Sequence, residues 1–96
     1  MSLLAIVAMT AKPALPTWWN WELSFTPHAE LRMEQRGVTE VDVRAMLERA
    51  TAFEPSVVEG RFMVRVARDS RPWIVIVEPD NDASLLVVVT AYEVSE

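Results

Sequence analysis

Two stretches near the C-terminal end restrict the folds open to this chain more than any other feature. They are Trp73-Ile74-Val75-Ile76-Val77 and Leu85-Leu86-Val87-Val88-Val89-Thr90-Ala91-Tyr92. Each is apolar at consecutive positions, the pattern of a strand buried on both faces. The link between them, Pro79-Asp80-Asn81-Asp82, is a turn, so the two strands pair antiparallel in a meander. Ahead of them Phe62, Val64 and Val66 alternate with Arg61, Met63 and Arg65, which makes a third strand with one core face and one basic face. Residues 52–58 read as an edge strand, where Pro55 is tolerated, and Gly60 turns the chain. A sheet that is apolar on both faces needs two covers. A helical region covers one. The other falls to the N-terminal apolar segment and its tryptophans or to a second subunit, which points to a homodimer or a bound partner protein.

The helical region lies between residues 26 and 50. Thr26 can cap a helix with Pro27 in its first position, where the missing N–H costs nothing, and Gly37 supplies the left-handed residue that ends it. The expected helix runs from about Pro27 to Arg36. A second helix begins after Thr39, with Asp42 completing a capping-box-like pair and Val38 stapling onto Val43. Val43, Met46, Leu47 and Ala50 recur at helical spacing as its buried stripe. Before this region, Glu22-Leu23-Ser24-Phe25 alternates as a half-buried strand does. The fold class that follows is α+β: two short N-terminal helices packed on an antiparallel β-meander, as one domain over residues 22–96. Residues 1–21 form an apolar, tryptophan-rich extension. In it Lys12-Pro13-Ala14-Leu15-Pro16 is a connector, and Trp18, Trp19 and Trp21 are a core lid or an interface.

Composition removes several function classes. Hydrophobic residues make up 51% of the 96, ample for a packed core, so disorder is not expected. There is no cysteine, hence no disulfide framework and no thiolate metal site, which suits a cytoplasmic protein. One histidine without cysteine excludes a dedicated zinc site, and two glycines exclude a glycine-rich phosphate loop, so no cofactor is expected. The run Leu3–Met9 is too short to span a bilayer and has no basic residue ahead of it, so neither a membrane anchor nor a secretory leader is expected. The net charge of −5 argues against a surface that grips nucleic acid everywhere. All eight arginines nevertheless fall between Arg32 and Arg71, which leaves room for a local basic patch.

The first helix concentrates the reactive groups. At about 100° per residue, His28, Arg32, Gln35 and Arg36 share one sector while Glu30 and Glu34 point the opposite way. Imidazole passes protons near neutrality and guanidinium grips phosphate or carboxylate through a planar fork. That combination suits phosphodiester cleavage or anion binding. It is equally compatible with a histidine packed at the helix–sheet seam and arginines paired to nearby acids. On the last strand, Thr90 and Tyr92 are expected on the same face as Leu86 and Val88, either satisfied locally or aimed at a site. Arg61 and Arg65 either extend the basic surface or form cross-strand ion pairs with Glu78 or Glu59.

The run His28-Ala29, Arg32-Met33, Arg36-Gly37-Val38-Thr39, followed by a helix and three strands ending in Val89-Thr90-Ala91-Tyr92, resembles a bacterial family catalogued as domain of unknown function 4258. The resemblance covers roughly residues 24–93. That family is similar to RelE/BrnT-like toxins, whose order is strand, two helices, then an antiparallel sheet. The resemblance implies a metal-independent, toxin-like endoribonuclease with RNA as substrate and an antitoxin as protein partner. In it His28 is general base or acid, Arg32 and Arg36 hold the phosphate, and Thr90 and Tyr92 orient it or donate a proton. The competing reading is a non-catalytic protein-interaction or homodimerisation module, favoured by the acidic charge and the surplus apolar surface.

Overall fold

The computed structural model describes residues 16–94; the apolar run Leu3–Met9 lies outside them. A short 3-10 turn, Thr17–Asn20, leads into β1 (Glu22–Phe25). Two helices follow, α1 (Pro27–Arg36) and α2 (Glu40–Glu48), and then four strands: β2 (Ala52–Pro55), β3 (Phe62–Arg68), β4 (Arg71–Asp80) and β5 (Leu85–Glu93). The class is α+β, as expected, but the arrangement differs in two respects. The helices sit between strands instead of opening the domain, and the sheet is mixed. Its order is β1-β5-β4-β3-β2, with β2 to β5 antiparallel and β1 running parallel beside β5. Strand alternation could identify β1 as a strand but carries no information about a partner more than sixty residues away (Glu22 lies opposite Leu85).

The helix boundaries follow the local signals. The Thr26 hydroxyl accepts from the Ala29 N–H at 2.9 Å, and Gly37 closes α1 in the left-handed region at φ 69°. The N-terminus of α2 carries a complete capping box: Thr39 Oγ1 accepts from the Asp42 N–H at 3.1 Å, and Asp42 Oδ2 from the Thr39 N–H at 2.9 Å. Arg68 on β3 ties the connection between the helices to the sheet, donating to the Gly37 carbonyl at 3.1 Å and standing 3.7 Å from Asp42. The β3–β4 hairpin turns on Asp69 and Ser70, both at positive φ, as a tight turn matched to strand twist requires.

The Thr39 N–H, then the Thr39 hydroxyl and the Arg68 charge, hold the Asp42 carboxyl below its ordinary range. A carboxyl with a lower pKa folded than unfolded contributes stability in full above its unfolded value and loses that contribution as the pH falls through its folded value. The midpoint gap in thermal unfolding between wild type and Asp42→Ala is therefore expected to be widest at neutral pH and to narrow as the pH drops below about 4. A gap constant from pH 7 to strongly acid solution would contradict this.

The core lies between the helices and one face of the sheet. Ala29 and Met33 of α1, with Val43, Met46 and Leu47 of α2, bury against Val64, Val66, Trp73, Val75, Val77, Leu86, Val88 and Ala91. Val38 is buried beside Val43, and Ala50 packs at the margin, consistent with the staple and the stripe. The 3-10 turn closes one end of this layer. Trp18 is buried, its ring 5.1 Å from that of Phe62 and 5.8 Å from that of Phe53. Among the described residues no helix lies on the other face. There Ile74 is buried, while Met63, Ile76, Leu85 and Val87 are half-buried. On that face Ile74 alone of β4 and β5 is buried among the described residues, so the expected burial on both faces is not met along either strand there.

Candidate functional site

Helix α1 occupies the place that β1 would have taken had it continued. The parallel pairing of β1 with β5 stops at Phe25 opposite Val88, and the Thr26 N–H still donates to the Val88 carbonyl at 3.2 Å. Pro27 then starts the helix, which runs on beside the second half of β5. Two side chains fasten it to that edge. The Thr26 hydroxyl donates to the Val89 carbonyl at 3.2 Å, and the Arg36 guanidinium to the Ala91 carbonyl at 3.1 Å.

At this point β5 carries a bulge. Val77 pairs with Val88 but Ile76 pairs with Thr90, leaving Val89 as an extra residue. One extra residue inverts the alternation beyond it. The expectation that Thr90 and Tyr92 share a face with Leu86 and Val88 is therefore corrected. Ala91 joins Leu86 and Val88 in the core, whereas Thr90 and Tyr92 lie opposite Ile76 and Ile74 on the helix-free face, half-buried. Thr26 holds the carbonyl of the bulged residue, so one side chain caps the helix and braces the bulge. Thr26→Ala is expected to destabilise the fold by about 1–2 kcal/mol, measured by denaturant unfolding; a change under half the lower figure would mean the bulge does not depend on it.

The two flanks of α1 differ as the sequence suggests. Glu30 and Glu34 line a shallow depression with Met33, Val38, Thr39 and Glu40, towards the start of α2. The opposite flank carries His28, Arg32, Gln35 and Arg36, all exposed. Arg32 donates to Gln35 Oε1 at 3.2 Å, so the two point together. Arg36 is partly committed to the Ala91 carbonyl. Neither His28 nor Arg32 forms an ion pair or a hydrogen bond to Thr90 or Tyr92 among the described residues. His28 is not sealed in the core, and Arg32 does not pair with an acid of α2. The exposed flank of α1 thus offers an accessible imidazole and a guanidinium, with a second guanidinium held on the Ala91 carbonyl, while the Thr90 and Tyr92 hydroxyls lie on the helix-free face of the sheet.

The remaining arginines are mostly structural. Arg61 pairs with Glu78 at 2.8 Å across the sheet, and Arg65 stands 3.6 Å from Glu54, not Glu59. They do not extend the basic flank. No group of three or more histidine, aspartate or glutamate side chains among the described residues is gathered closely enough to hold a metal ion. Away from α1, the 3-10 turn, β1 and α2 enclose a half-open pocket of about 180 Å³ that includes Trp19, Trp21, Arg44 and Glu48. Arg44 and Glu48 were legible as one helical turn apart, but not as neighbours of the tryptophans.

The family described as Domain of unknown function (DUF4258) matches over residues 25–93, and the chain belongs to it. The match begins just ahead of α1 and ends with β5, so it takes in the whole basic flank and the bulged strand, but not Trp18 or the pocket tryptophans. No curated protein and no solved structure gives a significant match. Among the described residues, no helix is long and apolar enough to cross a membrane.

Proposed function

We propose that this chain is a metal-independent endoribonuclease of the RelE/BrnT-like, toxin-like kind, acting in the cytoplasm and held in check by an antitoxin. The observation that carries the reading is the separation of charge on α1, which leaves His28, Arg32 and Arg36 on one accessible flank and the acids on the other. In this reaction His28 takes the proton of a ribose 2′-hydroxyl as that oxygen attacks the adjacent phosphorus. The bond from phosphorus to the 5′-oxygen breaks, and a proton from Tyr92 or from protonated imidazole reaches the leaving oxygen. The products are a 2′,3′-cyclic phosphate and a 5′-hydroxyl. Arg32 and Arg36 offset the negative charge that builds on the phosphoryl oxygens, and Thr90 orients one of them.

The test is incubation with single-stranded RNA at neutral pH in chelator, wild type beside His28→Ala, with the new ends identified. Cyclic phosphate ends from wild type alone support the reading. Equal cleavage by both proteins, or none by wild type across several RNAs, overturns it.

One observation favours a second reading, a non-catalytic module that binds a partner protein or its own copy. Among the described residues the face of the sheet carrying Met63, Ile74, Ile76, Leu85 and Val87 has no helix on it, and its rim charges are already paired as Arg61–Glu78 and Arg65–Glu54. Sedimentation of wild type beside Ile76→Lys separates the two: a dimer that the lysine splits supports self-association through this face.

A further inference from the structure

The pocket beside the 3-10 turn has no part in the proposed cleavage, and its composition is specific. Its lining joins the indoles of Trp19 and Trp21 to leucines of β1, α2 and β5 and to the polar side chains of Asn20, Arg44 and Glu48. The Trp19 ring stands 5.7 Å from that of Trp18 and 5.8 Å from that of Phe53. Trp21 is half-exposed and pairs with no other aromatic ring among the described residues. Arg44 and Glu48 are exposed, one turn apart on α2, and neither makes an ion pair or side-chain hydrogen bond among the described residues. At about 180 Å³ the pocket falls below the roughly 300–1,000 Å³ of sites for drug-sized ligands. It holds one ring system, not two.

We infer that this pocket is a single-nucleotide site, taking the base against its indoles and the phosphate on Arg44. An aromatic face with a free guanidinium is the usual means of holding one unstacked base of a single strand. Glu48 is an acceptor only, and Asn20 both donates and accepts, so together they can satisfy the edge of a base. An aromatic side chain of a partner protein would fill the same ring space but would leave a bare cation and a bare carboxylate at the rim. A nucleotide brings an anion and N–H donors to both. The nucleotide has two sources, a free mononucleotide or one residue of an RNA. The second rests on the ribonuclease reading. Leu86 at the pocket and Ala91 beside Arg36 are separated along β5 by about 15 Å, so a short RNA could engage both places where a mononucleotide engages one.

The experiment is a nitrogen-15 NMR titration of the full chain, as wild type and as His28→Ala, with each of the four ribonucleoside monophosphates and then with a short single-stranded RNA. Mononucleotides are expected to shift the indole signals of Trp19 and Trp21 and the amides around Arg44, leaving Trp73 unmoved. Arg44→Gln, at an exposed helix position that leaves the core untouched, is expected to weaken binding about tenfold, and Trp21→Leu by a similar factor. Binding retained by His28→Ala places the pocket apart from the cleavage chemistry, so loss of one does not mimic loss of the other. Tighter binding of the RNA, weakened by the same variants, identifies RNA as the source; equal affinities identify the free nucleotide. Absence of any shift at millimolar nucleotide overturns the proposal. So does equal binding of uncharged nucleosides with no effect of Arg44→Gln, which would make the pocket a socket for an apolar side chain.

Discussion

Trp18→Ala is expected to cost about 3–5 kcal/mol of folding stability, which for a domain of this size lowers the thermal midpoint by at least ~12 °C. Trp18 is only 7% exposed, and its ring meets those of Trp19, Phe53 and Phe62 at centroid separations of 5.1–5.8 Å. Removing it opens a cavity at the end of the layer that α2 and the sheet enclose, and it strips aromatic neighbours from Phe53 and Phe62. Each such ring pair contributes about 0.5–1.5 kcal/mol beyond burial. The control is Val57→Ala, since Val57 is fully exposed and its truncation is expected to stay within about 0.5 kcal/mol of wild type. Because the family match starts at residue 25, a chain trimmed to the matched region would lose this tryptophan and should unfold in the same way. A Trp18→Ala protein with an unchanged midpoint would show that the 3-10 turn is an appendage to the core instead of its end wall.

His28→Ala is expected to reduce RNA cleavage by about 100-fold or more, the usual contribution of a positioned general acid or base, while leaving stability within about 0.5 kcal/mol of wild type. The second half follows from exposure: His28 is on the surface of α1, outside the core. Arg32→Ala should behave alike, since its side-chain hydrogen bond to Gln35 lies on the same surface. Arg36→Ala should differ. Its guanidinium also satisfies the Ala91 carbonyl on the free edge of β5, so its loss is expected to lower both activity and the unfolding midpoint. Measuring rates and denaturation curves for all three variants distinguishes a chemical role from a bracing one. If all three lose activity only in proportion to stability, the proposed chemistry fails.

Local chemistry made the helices legible. Thr26 with Pro27, Gly37, and the Thr39–Asp42 pair set boundaries that the structure reproduces, because caps act over three or four residues and their signals are contiguous. Strands β2 to β5 were legible for a similar reason: alternation and short turns relate neighbours in sequence. The edge strand was foreseen through Val58 but ends at Pro55, where the chain turns so that the Ser56 N–H can donate to the Arg61 carbonyl. The partner of β1 was not legible, nor was the convergence of Trp21 with Arg44. Both join segments through space that no local pattern connects.

The candidate site divides in the same way. The sequence by itself determined that His28, Arg32 and Arg36 share one flank of a capped helix with Glu30 and Glu34 kept off it, since helical pitch alone places them. Only the tertiary structure decided which way Thr90 and Tyr92 point. Their strand reads as an unbroken apolar run, and a run apolar at every position hides a slip of one residue. The extra residue at Val89 appears only when β4 and β5 are paired, and the Thr26 hydroxyl, 63 positions earlier in the chain, holds its carbonyl. That bulge turns both hydroxyls out of the core and onto the helix-free face of the sheet, because in a strand of period two a single added residue exchanges inside for outside.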